Sequence, residues 1–383
     1  MSGPAVAGPG ARPSLLHHPA GLRTLFFTEL WERFSYYGMR ALLVLFMVEA
    51  VEDGGLGFND ATATAIYGLY TAAVYAVALP GGWIADRLLG AQRAIWYGGI
   101  VIMLGHFTLA IPSITAFFLG LLLIILGTGL LKPNISAVVG ELYAEDDPRR
   151  DSGFTLFYMG INLGAAFGPL VCAGLGESER FGWHYGFAAA GVGMAVGLAW
   201  FRHARHQLGD AGRYPSNRGA TEAERRARRR GWLAVGAGVG VLLLIAGMLL
   251  SGAVGVDPVA LAGYATVGIV VYAGAYIGWL VLFGGLTPVE RGRVLAIFIL
   301  SMAAAMFWGG FEQAGSTLNL FAERYTQRVF GDFEVPAGWF QSLNAVFIVL
   351  LAPVFAGAWV ALAARGREPP TPAKFAIGLV TLA

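Results

Sequence analysis

Long apolar stretches dictate what this chain can become: they run over about residues 22–51, 60–87, 92–112, 116–143, 152–175, 183–201, 232–252, 259–284, 294–321 and 339–363. Each has room for the roughly 20 residues with which an α-helix crosses a hydrocarbon core about 30 Å thick. Lipid offers no hydrogen-bond partners to a backbone, so a spanning segment must satisfy its amides internally, as a helix does. Charged residues make up 13% of the chain and hydrophobic ones 56%, whereas a soluble domain is about 25% charged. The reading is an all-α integral membrane protein embedded in a lipid bilayer. A last stretch opens at Phe375 and meets Ala383 at under half the length a span needs, so the sequence reads as truncated within a span.

Charge between the stretches alternates. Arg23, Arg87, Arg93, Arg149 and Arg150 fall on one side, and Glu52, Asp53, Asp60, Glu177 and Glu179 on the other. Cytoplasmic loops collect Arg and Lys, which puts the N-terminus in the cytoplasm. The segment from Arg202 to Arg230 holds nine arginines with Pro and Gly between them and reads as a basic cytoplasmic linker. The net charge of +2 and the pI of about 8.7 therefore speak of orientation and not of nucleic acid. Residues 1–20 lack the charged start and apolar core of a secretory signal. Cys172, the one cysteine, allows no intrachain disulfide and reads as a small buried hydrophobe.

The first stretch departs from its own apolarity. Glu29, Glu32, Arg33, Tyr36 and Arg40 fall close to one line along a helix of 3.6 residues per turn. Placing an ionisable group at membrane depth costs at least ~2.5 kcal/mol on insertion scales, so such residues face a bundle interior and mark function. Lys132 and Glu312 likewise stand within apolar stretches, Lys132 beside the helix-loosening Pro133 and Glu312 with Trp308 and Ser316 one turn to either side. His106 and His184 have no second ligand at metal spacing and read as hydrogen-bonded bundle residues, so no metal is expected. No Ser or Cys stands with a nearby His, and neither an HExxH nor a P-loop occurs, which argues against an enzyme.

Several separated motifs agree on one family. They are Glu29-x-x-Glu32-Arg33 followed by Tyr36-Tyr37-Gly38; Gly82, Asp86, Arg87 and Gly90 with Arg93 beyond; and Lys132-Pro133-Asn134. Phe157 to Asn162, Phe307-Trp308 to Glu312-Gln313, and Phe340 to Asn344 follow in order. On these residues the chain resembles the proton-dependent oligopeptide transporter family of the major facilitator superfamily. The resemblance implies helical bundles of the superfamily type with an incomplete second half. It gives a tail at 1–21, a six-helix bundle at 22–201, the linker at 202–231, two extra helices at 232–284 and a partial C-terminal bundle at 285–383. It implies a monomeric symporter in the cell's inner membrane that imports di- and tripeptides by alternating access, with protons as coupling ion and no cofactor. A peptide sensor that does not transport, or an inactive transporter fragment, is the alternative.

The chemistry of the residues is compatible with that. A zwitterionic peptide needs cations for its carboxylate, which Arg33, Arg40 and Lys132 supply, and an anion for its ammonium, which Glu312 supplies. Tyr36, Tyr37, Tyr75, Asn162 and Asn344 can hydrogen-bond a peptide backbone without reading its side chains, with Trp308 beside them. Glu29, Glu32, Arg33 and Glu312 are the proton-coupling candidates, because burial and Arg33 act in opposite senses on the carboxyls. Arg40 and Glu312, each carrying the sign the other lacks, are expected to form a gate. Lys132 would look to a tenth-helix glutamate of the family that this sequence does not reach. Gly160, Gly164 and Gly168 predict close helix packing, and Asp86 and Arg87 a cytoplasmic loop that acts as cap or latch.

Overall fold

The computed structural model describes residues 18–216, 221–250, 255–367 and 369–382, so most of the expected N-terminal tail lies outside it. The helices are α1 (Ala20–Val48), α2 (Asp60–Ile84), α3 (Ala91–Leu109), α4 (Ile114–Glu141), α5 (Arg150–Gly176), α6 (Trp183–Ala204), α7 (Glu222–Leu250), α8 (Pro258–Phe283), α9 (Pro288–Phe311), α10 (Thr317–Tyr325), α11 (Gln341–Ala364) and α12 (Thr371–Leu382). Among the described residues, eight helical segments are long and apolar enough to cross a membrane. α1 has the length, at 29 residues, but its five charges lower its apolarity, and burial of most of them inside the protein answers that.

The chain divides into two compact units, one made of residues up to Met39 with Ala72–Gly247, the other of Arg40–Thr71 with Met248–Ala383. In the first unit α3 packs on α4 and α6, and α5 on α6 and α4. Its apolar core includes Leu25 of α1, Ile95 and Ile102 of α3, Ile135 and Val138 of α4, and Met194 and Phe201 of α6. Backbones come close where glycines allow it. A Cβ on Gly164 would sit 2.3 Å from the Leu30 carbonyl oxygen, and one on Gly168 2.4 Å from that of Phe34. α5 is thereby seated against the very turns of α1 that carry Glu32 and Arg33. Gly164→Leu is expected to force these helices apart at a cost of about 1–3 kcal/mol, visible as a lowered Tm of the purified protein together with lost peptide uptake.

The second unit contains α8 to α12 and a small antiparallel hairpin, β1 (Val329–Phe330) with β2 (Phe333–Glu334). α8 and α9 bury no residue, as apolar helices do when lipid is their solvent. Arg324 of α10 forms a bidentate pair with Asp60 at the start of α2, at 2.7 and 3.0 Å.

Three local readings are corrected. The apolar stretch 294–321 is not one helix: α9 stops at Phe311, a 3-10 turn covers Glu312–Gly315, and Ser316 (φ −130°, ψ −98°) separates it from α10. Gly309, Gly310 and Gly315 weaken the helix there, and Trp308 and Ser316 do not flank Glu312 on a common helical face. Asp86 and Arg87 lie on a π-helical turn, Ala85–Leu89, that prolongs α2 rather than in a loop. The turn ends at Gly90, whose φ of 85° suits glycine. Finally, α7 begins at Glu222, inside the segment read as a linker, because Glu222 and Glu224 in its first turn favour a helix N-terminus and Glu222 pairs with Arg225 and Arg226.

Candidate functional site

Within the first unit the charged stripe of α1 is buried: Glu29 is 3% exposed, Glu32 0% and Arg33 3%. Arg33 is held by both glutamates. Its Nε and Nη2 donate to the two oxygens of Glu32, the second at 2.7 Å, and its Nε lies 3.2 Å from Glu29 Oε1. Such a forked pair is the strong form of a charge-assisted hydrogen bond. The two carboxylates are not equivalent. Both oxygens of Glu32 are engaged by the guanidinium, whereas Glu29 Oε2 is buried and has no hydrogen-bond partner among the described residues.

Aromatic rings line the same helix. Arg33 Cζ lies 5.1 Å from the ring centroid of Tyr36, and Tyr37 meets Tyr36 edge to face at 5.3 Å. On α4, the Lys132 ammonium stands 4.3 Å from the ring centroid of Tyr75 of α2. The π face of Tyr75 attracts the Lys132 ammonium. Pro133 beside it cannot donate to the Gly129 carbonyl. That carbonyl would lie 1.9 Å from a Cβ on Gly81, so α2 and α4 pack backbone to backbone there. Asn162 is buried on α5, but its amide donates to the Tyr158 carbonyl of its own helix at 2.9 Å.

His184 Nδ1 lies 3.4 Å from the Leu109 carbonyl oxygen. His106 is fully buried and neither of its ring nitrogens meets a hydrogen-bond partner among the described residues, which corrects the reading of it as hydrogen-bonded. Cys172 is buried against Gly38, where a Cβ would meet its Sγ at 2.4 Å.

Within the second unit Arg40, 4% exposed, lies with Nη1 3.2 Å from Glu312 Oε2. The 3-10 turn after α9 brings Glu312 there. Tyr67 of α2, which the sequence did not single out, joins them: its hydroxyl donates to the Glu312 carbonyl oxygen at 3.2 Å and lies 3.4 Å from Oε2. Nothing in an apolar helix marks one tyrosine among several as a partner of an acid. Asn319 Nδ2 donates to the Ala41 carbonyl at 2.8 Å and fixes α10 to α1 next to the pair. Gly315 makes room, since a Cβ there would sit 2.4 Å from the Tyr67 hydroxyl and 2.7 Å from Arg40 Nε. Trp308 is half exposed with Phe307 and Phe311 against its ring, and Asn344 is exposed on α11. Of the motif after α2, Gly82 is partly buried, Asp86 and Arg87 are exposed, Gly90 is buried, and Arg93 is exposed on the first turn of α3.

Apolar helices enclosing buried, hydrogen-bonded charge define a multi-pass membrane protein whose interior handles charged species. The sequence profile of the POT family matches residues 92–222 and 270–383. The chain is 43% identical to the peptide transporter YePEPT of Yersinia enterocolitica over 98% of its length and 74% of that protein. It is 40% identical to a di-/tripeptide transporter of Lactococcus lactis subsp. cremoris, over 94% of its length and 73% of that protein. Its fold matches the crystal structure of peptide transporter POT in complex with sulfate with a TM-score of 0.84, at 44% identity, over 96% of this chain and 74% of that one. A POT family transporter in complex with 5-aminolevulinic acid matches with a TM-score of 0.80 at 36% identity, over 94% and 73% of the two chains. The chain belongs to the POT family of membrane transporters.

Proposed function

We propose that this protein imports di- and tripeptides together with protons by alternating access, as a monomer in the inner membrane with its N-terminus in the cytoplasm. The observation that carries the reading is the triad of Glu29, Glu32 and Arg33, buried on one helix with one carboxylate oxygen, Glu29 Oε2, left for a proton. Glu32 holds the guanidinium in place, and Glu29 takes and releases the proton. Arg33, Arg40 and Lys132 attract the peptide carboxylate, while Glu312 receives the ammonium. Tyr36, Tyr37, Tyr75, Asn162, Trp308 and Asn344 furnish rings and amides for the peptide, and Arg40 with Glu312 forms a gate. Asp86, Arg87 and Arg93, with Gly82 and Gly90, form a latch that is remade as the conformation changes.

The test is uptake into proteoliposomes with an acidic exterior. Dialanine is expected to accumulate above its external concentration, and a proton ionophore should abolish that accumulation while leaving exchange of internal for external peptide in place. Binding of dialanine without accumulation would overturn the proposal.

A further inference from the structure

At one end of the first unit the start of α3 and the end of α6 enclose a cavity of about 740 Å³. Arg93, Arg202, Arg205 and Arg213 line it together with His206, and none of its lining residues is a carboxylate. Two acids stand nearby: Asp210 meets Arg213 at 3.3 Å, with both side chains more than half exposed, and Glu141 Oε2 accepts from the Gly212 amide at 2.7 Å. The floor is a built one. Gln92 Nε2 donates to the carbonyls of Gly209 and Ala211 at 3.2 and 2.8 Å, and the Gln92 amide to that of Gly212 at 2.8 Å. These bonds tie the loop bearing Arg213 to α3. One wall is aromatic, with Trp96 stacked on buried Phe201 at 6.4 Å and 20°.

What lies next to the cavity narrows the occupant. Along the same two helices, Tyr97, Leu104 and Phe107 of α3 and Val192 and Val196 of α6 are exposed, an apolar surface that faces acyl chains in a bilayer. A concentration of arginines at the end of membrane helices, walled by aromatic rings and continuous with apolar surface, matches an amphiphile with an anionic head. We propose that this cavity binds the phosphodiester headgroup of an anionic phospholipid, whose acyl chains lie along the outer faces of α3 and α6. The occupant is a lipid of the surrounding leaflet and is distinct from the transported peptide.

The test uses the whole chain purified in detergent and titrated with phosphatidylglycerol or phosphatidylcholine, with bound lipid read by native mass spectrometry. Phosphatidylglycerol is expected to bind at least about tenfold more tightly. The double variant Arg202→Gln/Arg205→Gln should weaken it about 30-fold, roughly fivefold for each arginine near the membrane surface. Should that variant fail to fold, Arg205→Gln alone should show the fivefold loss. Arg225→Gln/Arg226→Gln removes the same charge from the exposed start of α7, where both arginines pair with Glu222, and should leave the affinity within about threefold. Equal binding of the two lipids, or equal losses in the two double variants, would overturn the assignment. Displacement of phosphatidylglycerol by millimolar inorganic phosphate would also overturn it, giving the cavity to a soluble anion.

Discussion

Glu29→Gln is expected to abolish proton-driven accumulation of peptide while leaving peptide exchange largely in place. Each coupled proton lets a gradient of one pH unit sustain about tenfold accumulation, since tenfold corresponds to about 1.4 kcal/mol. In the variant that ratio should fall to about one. The physical reason is the asymmetry of the triad. Glutamine at position 29 resembles the protonated acid and still offers an oxygen to Arg33, whose fork stays on Glu32. The titrating group is lost and the scaffold kept. Glu32→Gln should behave differently, because it breaks the forked pair and leaves Arg33 with Glu29 only. Removing one partner of a buried ion pair costs about 3–5 kcal/mol, so this variant should lose exchange as well as accumulation and melt at a lower temperature. Accumulation by Glu29→Gln equal to the parent's would make Glu29 a structural residue.

The second large effect concerns Arg40 and Glu312, 3.2 Å apart with side chains 5% and 22% exposed. Breaking the pair leaves a largely buried charge, and the partial exposure of Glu312 sets the cost at the lower end of the range, about 3 kcal/mol. If the pair holds a gate shut, that shifts the closed population about 100-fold. Arg40→Glu and Glu312→Arg should each lose closure, read as cross-linking between cysteines placed at the outer mouth, and the double swap should recover it. Tyr67 refines the expectation. Its hydroxyl donates to the Glu312 backbone oxygen as well as facing the carboxylate, so the swap retains the backbone bond that keeps position 312 beside α2. No recovery in the double variant would mean that the two residues do not gate together.

The sequence announced the triad and the cations because ionisable side chains in apolar stretches are few and expensive, which leaves little else for them to be. Spacing along α1 sufficed to place Glu29, Glu32 and Arg33 together, since a regular helix fixes neighbours at three and four residues. It failed where the helix itself fails. Trp308, Glu312 and Ser316 were read on one face, but the glycines around Glu312 break α9, and the 3-10 turn aims the acid elsewhere. Tyr67 was invisible because its partner is 245 residues away, and no local pattern encodes such a meeting. The ring of Tyr75 beside Lys132 is equally illegible in the sequence, because it depends on how closely Gly81 and Gly129 let α2 approach α4.

The charges gathered around Arg33 also determine which step an electric field acts on. With both glutamates ionised, Glu29 and Glu32 offset the charges of Arg33, which they hold, and of Lys132 on α4, so these four side chains sum to zero. A proton on Glu29 makes it +1, and a zwitterionic dipeptide adds nothing to that sum. Moving one charge through an inside-negative membrane voltage is worth about 2.3 kcal/mol per 100 mV. On the proposed coupling through Glu29, the carrier would be electrogenic on its loaded inward stroke and electrically silent on its empty return, so hyperpolarisation should speed delivery of peptide without hastening the reset.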